Sequence, residues 1–281
     1  MRLAMGQMLV EGGQPVANLA RAVEMIREAA DQGAHLVVLP ECLDLGWTDP
    51  SALSLAEPIP GRFSQILAEA ASKFGIFVVA GLVEGTEGSR YNAAILLSPA
   101  GEILLKHRKI NELAIAHHLY ATGDRLGVSK TSLGVVGLNI CADNAPGSLV
   151  LGHALARMGA EILLSPSAWA VPHDYDPVQS PYGAQWKAAY GQLAEAYAMP
   201  VIGVSNVGEI RHGAWQGWRC IGNSLAVDAQ GNVLATGSFG EHAAECILVD
   251  VDVKPRVLTG TDLVDDLQAR GYGQWPFDRR G

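Results

Sequence analysis

The sequence predicts an α/β protein of two packed mixed sheets with helices on the outside. Strand-like and helix-like stretches alternate early in the chain, while hairpin spacing appears in the middle and again late. With 49% hydrophobic and 17% charged residues, there is enough apolar material for a continuous core, and 281 residues suit one large domain.

Taken in order, Leu3 to Met8 reads as a first strand. Pro15 begins a helix with Val16, Leu19, Val23, Ile26 and Ala30 on one face, and Gly33 stops it. His35 to Leu39 is a strand, and Trp47 to Pro60 is a loop rich in turn residues. Phe63 to Phe74 has helical spacing and ends at Gly75. Ile76 to Val83, Ala93 to Leu97 and Ile103 to Leu105 follow as strands, the last two joined across Ser98 to Gly101. Val135 to Ile140 is a buried strand, Leu149 to Met158 a helix, Ile162 to Ser165 a strand and Tyr182 to Ala198 a helix. Val201 to Ser205, Ser224 to Val227, Val233 to Ala235 and Ile247 to Val251 complete the sheets.

Three of these strands deliver a reactive residue where the chain must turn. Pro40 holds the chain extended and presents Glu41 with little freedom. Ile103 to Leu105 gives way to Lys106, His107, Arg108 and Lys109, and the strand through Ile140 ends at Cys141 before the turn formers Asp143, Asn144 and Pro146. Singly, the three read as a solvated carboxylate, a solvated basic edge and an inert buried thiol. Together, in this order, they read as a site.

On Leu39-Pro40-Glu41, Arg108-Lys109 and Ile140-Cys141-Ala142-Asp143, with Tyr91-Asn92 and Pro166-Ser167-Ala168-Trp169 in support, the chain resembles the nitrilase, or carbon-nitrogen hydrolase, superfamily. The resemblance runs over about residues 1 to 253 and implies a four-layer α-β-β-α sandwich with two mixed β-sheets. It sets residues 254–281 apart as a C-terminal tail, which in this superfamily often crosses to a second subunit, so a homodimer or higher homo-oligomer is expected.

The chemistry follows from what a thiol needs to cleave an amide. Glu41 takes the proton of Cys141, the sulfur attacks the carbonyl carbon, and the ammonium of Lys109 with the backbone N–H of Ala142 holds the oxyanion. Glu41 then protonates the departing nitrogen and activates water against the thioester. No metal or other cofactor is needed. Many superfamily members carry a second glutamate seven residues before the glycine matched by Gly123, where this chain has Ala116. Glu112, one helical turn earlier, reaches the same place if that segment is helical. The arginine and glutamate common after the cysteine motif are Ala145 and Ser148 here, so the turn must be held otherwise. Trp47, Trp169, His173, Tyr175 and Tyr182 are the candidate pocket walls, each weighed against ordinary packing.

Ala142-Asp143 after the thiol is nearer the amidase-like branches than the nitrilases proper. From Ala170 to Ala189 there is no arginine to neutralise a substrate carboxylate. An aliphatic or ω-amidase therefore ranks first, an N-carbamoyl amide hydrolase second and a nitrilase third. A binding protein that has kept the fold but lost turnover is the rival from another class. A cysteine–histidine pair is the rival arrangement, but His107, His117, His118 and His153 do not occupy strand exits in the same way.

The net charge of −9 argues against a nucleic-acid surface. No apolar run is long enough to span a bilayer, and MRLAMGQMLVEGG does not read as a secretory signal. Cys42, Cys141, Cys220 and Cys246 form no CxxC pair, which suits a reduced, cytoplasmic setting.

Overall fold

The computed structural model describes residues 1–256 together with Ala269. The first half of the chain runs β1 (Arg2–Gln7), α1 (Pro15–Asp31), β2 (Leu36–Val38), α2 (Ala52–Leu55), α3 (Arg62–Phe74), β3 (Phe77–Thr86), β4 (Ser89–Leu97) and β5 (Ile103–Arg108). The second half adds β6 (Val128–Thr131), β7 (Gly134–Leu138), α4 (Leu149–Arg157), β8 (Ile162–Ser167), β9 (Ala170–Pro172), α5 (Ala184–Tyr197), β10 (Val201–Ser205) and β11 (Val207–Glu209). It closes with β12 (Trp218–Ile221), β13 (Leu225–Val227), β14 (Val233–Thr236) and β15 (Glu245–Asp250).

Two six-stranded sheets form, ordered β15-β1-β2-β3-β4-β5 and β14-β13-β10-β8-β7-β6. Each has a parallel centre, β1-β2-β3 in one and β7-β8-β10 in the other, extended by antiparallel strands. Alternate residues of the first sheet enter different cores because strand side chains point to opposite faces. Leu3, Met5, Leu36, Val38, Val79 and Leu96 join Val136, Leu138 and Leu164 of the second sheet. Ala4, Val37, Val78 and Ile95 instead meet Leu19 and Ile26 of α1 and Leu67 and Ala71 of α3. Helices α4 and α5 cover the far side of the second sheet through Leu155, Tyr190 and Leu193. This is the four-layer sandwich expected from the resemblance, and burial on both faces is why its central strands read as unbroken apolar runs.

The differences from the sequence reading are local. Helix α1 buries Leu19, Ala22, Ile26 and Ala29, whereas Val16 is 75% exposed. Asn18 sets that rotation by donating to the carbonyl oxygens of Glu11 and Asp44 from a fully buried position. The stretch from Trp47 to Pro60 contains the short helix α2 as well as loop. A third sheet, β11-β12-β9, was not foreseen, because strands of three or four residues are too short to display a period. From residue 257 on, the tail expected at a subunit interface lies outside the described residues apart from Ala269. Just before it, the Arg256 guanidinium donates to the carbonyl oxygens of Ala156 and Ala160.

Candidate active site

Strand β5 is antiparallel to β4, which is antiparallel to β3, so it points the same way as β2. Their exits therefore open at one end of the sheet, and Glu41 and Lys109 emerge together. The backbone of Glu41 lies so close to β3 that a Cβ on Gly81 would fall 2.5 Å from its Cα, which is why only glycine fits there. Across the sandwich, the chain leaving β7 supplies Cys141.

Cys141 sits at φ +44°, a left-handed conformation that is costly for a residue with a side chain, at the start of the one-turn 3-10 segment Cys141–Asn144. Its N–H donates to Ser165 Oγ at 3.0 Å. The Asp143 carboxylate accepts from the N–H groups of Ile140 (3.0 Å), Ile110 (3.1 Å) and Asn111 (2.8 Å) and lies 2.8 Å from His107 Nε2. Burial opposes the Asp143 charge, but His107 and the backbone donors outweigh it and hold the carboxyl below its ordinary range. Asn111 Nδ2 also donates to the Ala142 carbonyl at 2.6 Å. Asp143 and Asn111 thus stitch the segment after Lys109 to the turn that carries the thiol, in place of the arginine–glutamate pair this chain lacks.

Lys109 Nζ is 2.7 Å from Glu41 Oε1 and 3.2 Å from Glu112 Oε1, and all three side chains are buried. Asn92 Nδ2 bridges the two acids, donating to Glu41 at 2.6 Å and to Glu112 at 3.1 Å. Glu112 also accepts from Trp47 Nε1 at 3.3 Å. It reaches this position without the helix that the sequence reading required, because the segment is irregular until a 3-10 turn begins at Ala114. The electrostatics follow from burial and proximity. Burial pushes Glu41 up, and Glu112 adds to this while Lys109 opposes it. For Lys109 burial disfavours the charge, yet Glu41 and Glu112 outweigh burial and keep the ammonium well above its usual range. Burial and the Glu41 carboxylate raise the Cys141 thiol, against the pull of Lys109. The resting site is accordingly a neutral thiol beside a fixed ammonium, with Glu41 able to take a proton.

Glu41, Lys109 and Cys141 line one cavity of about 320 Å³, together with Ala142, Trp47, Trp169 and Tyr182. Trp169 stacks on Trp186 at 5.1 Å between ring centroids. Opposite in sequence origin, Trp215 meets the edge of Trp47 at 4.8 Å and stacks on Trp218 at 4.3 Å. His173 is exposed and outside the lining, while Tyr175 packs against Tyr182 at 6.4 Å. His117 Nε2 contacts the Glu112 carbonyl oxygen at 3.1 Å, and His107 serves Asp143. Sequence reasoning missed Trp215 and the bridging role of Asn92. Asn92 lay in a motif already noted, whereas the glycine-flanked loop carrying Trp215 gave no signal.

A buried thiol, a carboxylate and a caged ammonium at the strand exits of an α-β-β-α sandwich are the arrangement of the nitrilase-like class of hydrolase. The chain belongs to the carbon-nitrogen hydrolase family, whose model matches residues 2–256. It is 30% identical over 268 residues to the omega-amidase NIT2-B of Xenopus laevis, covering 90% of this chain and 89% of that one. It is 31% identical over 245 residues to a nitrilase of Pyrococcus abyssi, covering 85% of each. Its fold matches a carbon-nitrogen hydrolase from Helicobacter pylori G27 with a TM-score of 0.78, 23% identity and coverage of 90% and 89%. An amidase from Nesterenkonia sp. AN1, bearing acrylamide added at its active-site cysteine, matches at a TM-score of 0.75, 22% identity and coverage of 90% and 93%.

Proposed function

We propose that this carbon-nitrogen hydrolase cleaves the C–N bond of a small amide through a thioester on Cys141, releasing ammonia or an amine and a carboxylic acid. The observation that carries the reading is the convergence of Glu41, Lys109 and Cys141 on one cavity, with the ammonium held 2.7 Å from the carboxylate that serves as base. Because the thiol is raised, its proton moves to Glu41 as the sulfur attacks rather than beforehand. The new oxyanion meets the ammonium of Lys109 and the N–H of Ala142, in the first turn of the 3-10 segment, where backbone donors lack partners within the helix. Glu41 returns the proton to the leaving nitrogen. It then takes one from water, the resulting nucleophile attacks the thioester carbon, and the thiolate leaves and is reprotonated. Glu112 holds Lys109 together with Glu41 and fills the second-glutamate role.

An amide fits better than a nitrile or an N-carbamoyl amide because the amidase-like Cys141-Ala142-Asp143 motif and the omega-amidase relatives point the same way. The four cysteines are unbridged, and the nucleophile must stay reduced, which supports a reducing, cytoplasmic setting. No helix among the described residues is long and apolar enough to cross a membrane. A homodimer or higher homo-oligomer is the assembly proposed for the tail that carries Trp275 and Phe277. The test is intact-protein mass spectrometry after exposure to a panel of amides, nitriles and N-carbamoyl amides, with ammonia release followed in parallel. An acyl adduct on Cys141 from an amide is expected. Ammonia release from nitriles or carbamoyl compounds alone overturns the choice of substrate.

A further inference from the structure

The floor of the cavity is charged and fully used, while its walls are aromatic. Among the described lining residues, Lys109 is the only cation, and Glu41 and Glu112 both hold it. Two carboxyl groups against one ammonium make the floor unwelcoming to a further anion, and in a buried site that repulsion is poorly screened. Above the floor, Trp169 and Trp186 stack nearly parallel, 16° apart, and Tyr182 packs against Trp169. The facing wall is Trp215, wedged between the edge of Trp47 and the face of Trp218. Each ring is braced by another ring, so the walls are rigid and offer π faces rather than charges.

We infer that the acyl half of the substrate is uncharged and apolar, and that an aromatic ring fits it best. The inference rests on the amide-hydrolase reading and narrows it to a substrate class, which sets aside the ω-amides of dicarboxylic acids. A carboxylate at the far end of the acyl chain enters a space with no free cation among the described residues, and loses its water without compensation. A ring gains both area and edge or face contact with the tryptophans. Gln185, exposed at the start of α5 and on the lining, is a polar position where an added cation would face an acid.

The experiment compares 3-phenylpropanamide, propanamide and the para-carboxylate of 3-phenylpropanamide, by turnover in the wild type and by calorimetric binding to Cys141→Ala. The phenyl amide is expected to exceed its carboxylate twin in kcat/KM by about a hundredfold, a like-charge and desolvation effect of ordinary size. It is expected to exceed propanamide by about tenfold or more. Trp215→Ala collapses the preference for phenyl over propanamide. Gln185→Arg raises kcat/KM for the carboxylate twin by about tenfold, as one added charge partner does. Turnover of the carboxylate twin equal to or faster than that of the phenyl amide overturns the inference and leaves the hydrolase intact. The expected preference in binding, without turnover of any of the amides, supports the ligand class and overturns the hydrolase reading.

Discussion

The floor of the cavity and its walls rest on different kinds of backbone. Glu41, Lys109 and Cys141 each follow a strand of the two large sheets by no more than three residues; β2 and β7 are interior strands, and β5 is an edge strand paired to β4. Trp47 and Trp215 stand on loops, and Trp169 links β8 to the short strand β9 of the small sheet. The charged groups of the floor are thus carried by hydrogen-bonded strands of the two large sheets. Of the aromatic walls, Trp47 and Trp169 are packed into the two cores, while Trp215 is only partly buried. Trp215 is therefore the wall residue whose replacement disturbs the cores least.

Four substitutions test the contrast between floor and walls. Cys141→Ala, at the centre of the floor, should reduce ammonia release by about 10⁴-fold or more while leaving Tm near wild type. Undiminished release would remove the sulfur from the reaction. Lys109→Met should lower kcat by about 10²- to 10³-fold, the loss of one oxyanion donor. It should also cost about 3–5 kcal/mol in chemical denaturation, because two buried carboxyl groups lose their shared cation. A change in KM alone would place Lys109 in binding rather than in stabilising the transition state.

Glu112→Gln should slow turnover by about ten- to a hundredfold with the fold intact, the loss of a hydrogen bond to a charged group. Its pH profile is more specific. Glu112 helps raise Glu41, so neutralising it lowers the Glu41 pKa, and the base stays deprotonated to lower pH. The acid limb of kcat/KM should move down in pH. An unmoved limb would separate the two acids. Trp47→Phe keeps a ring in the wall and removes only the indole donor to Glu112, so a drop of about fivefold in kcat with little change in KM is expected. A change confined to KM would make Trp47 a wall residue alone.

Glu112 shows where the sequence stopped being legible. Four residues separate it from the position where the superfamily pattern has its glutamate, and reading it as equivalent required a helix. The chain instead reaches the site through an irregular segment. Its carboxyl is fixed by Lys109, Asn92, Trp47 and the Leu113 N–H, and three of these donors come from residues that are not its chain neighbours. His173 failed in the opposite way. It lay in the right stretch of sequence, but it follows β9 directly, is exposed and does not line the cavity.

The sequence by itself determined the layers and the three reactive exits. Both are local statements, in which apolar runs buried on two faces end in residues whose chemistry is readable one at a time. Only the tertiary structure decided which groups serve those three. Asp143 locks the thiol turn to His107 of β5 and to the segment after Lys109, Asn92 bridges two acids, and Trp215 closes the wall beside Trp47. These are pairings between distant parts of the chain, set by sheet order and loop path, and no periodicity or spacing encodes them.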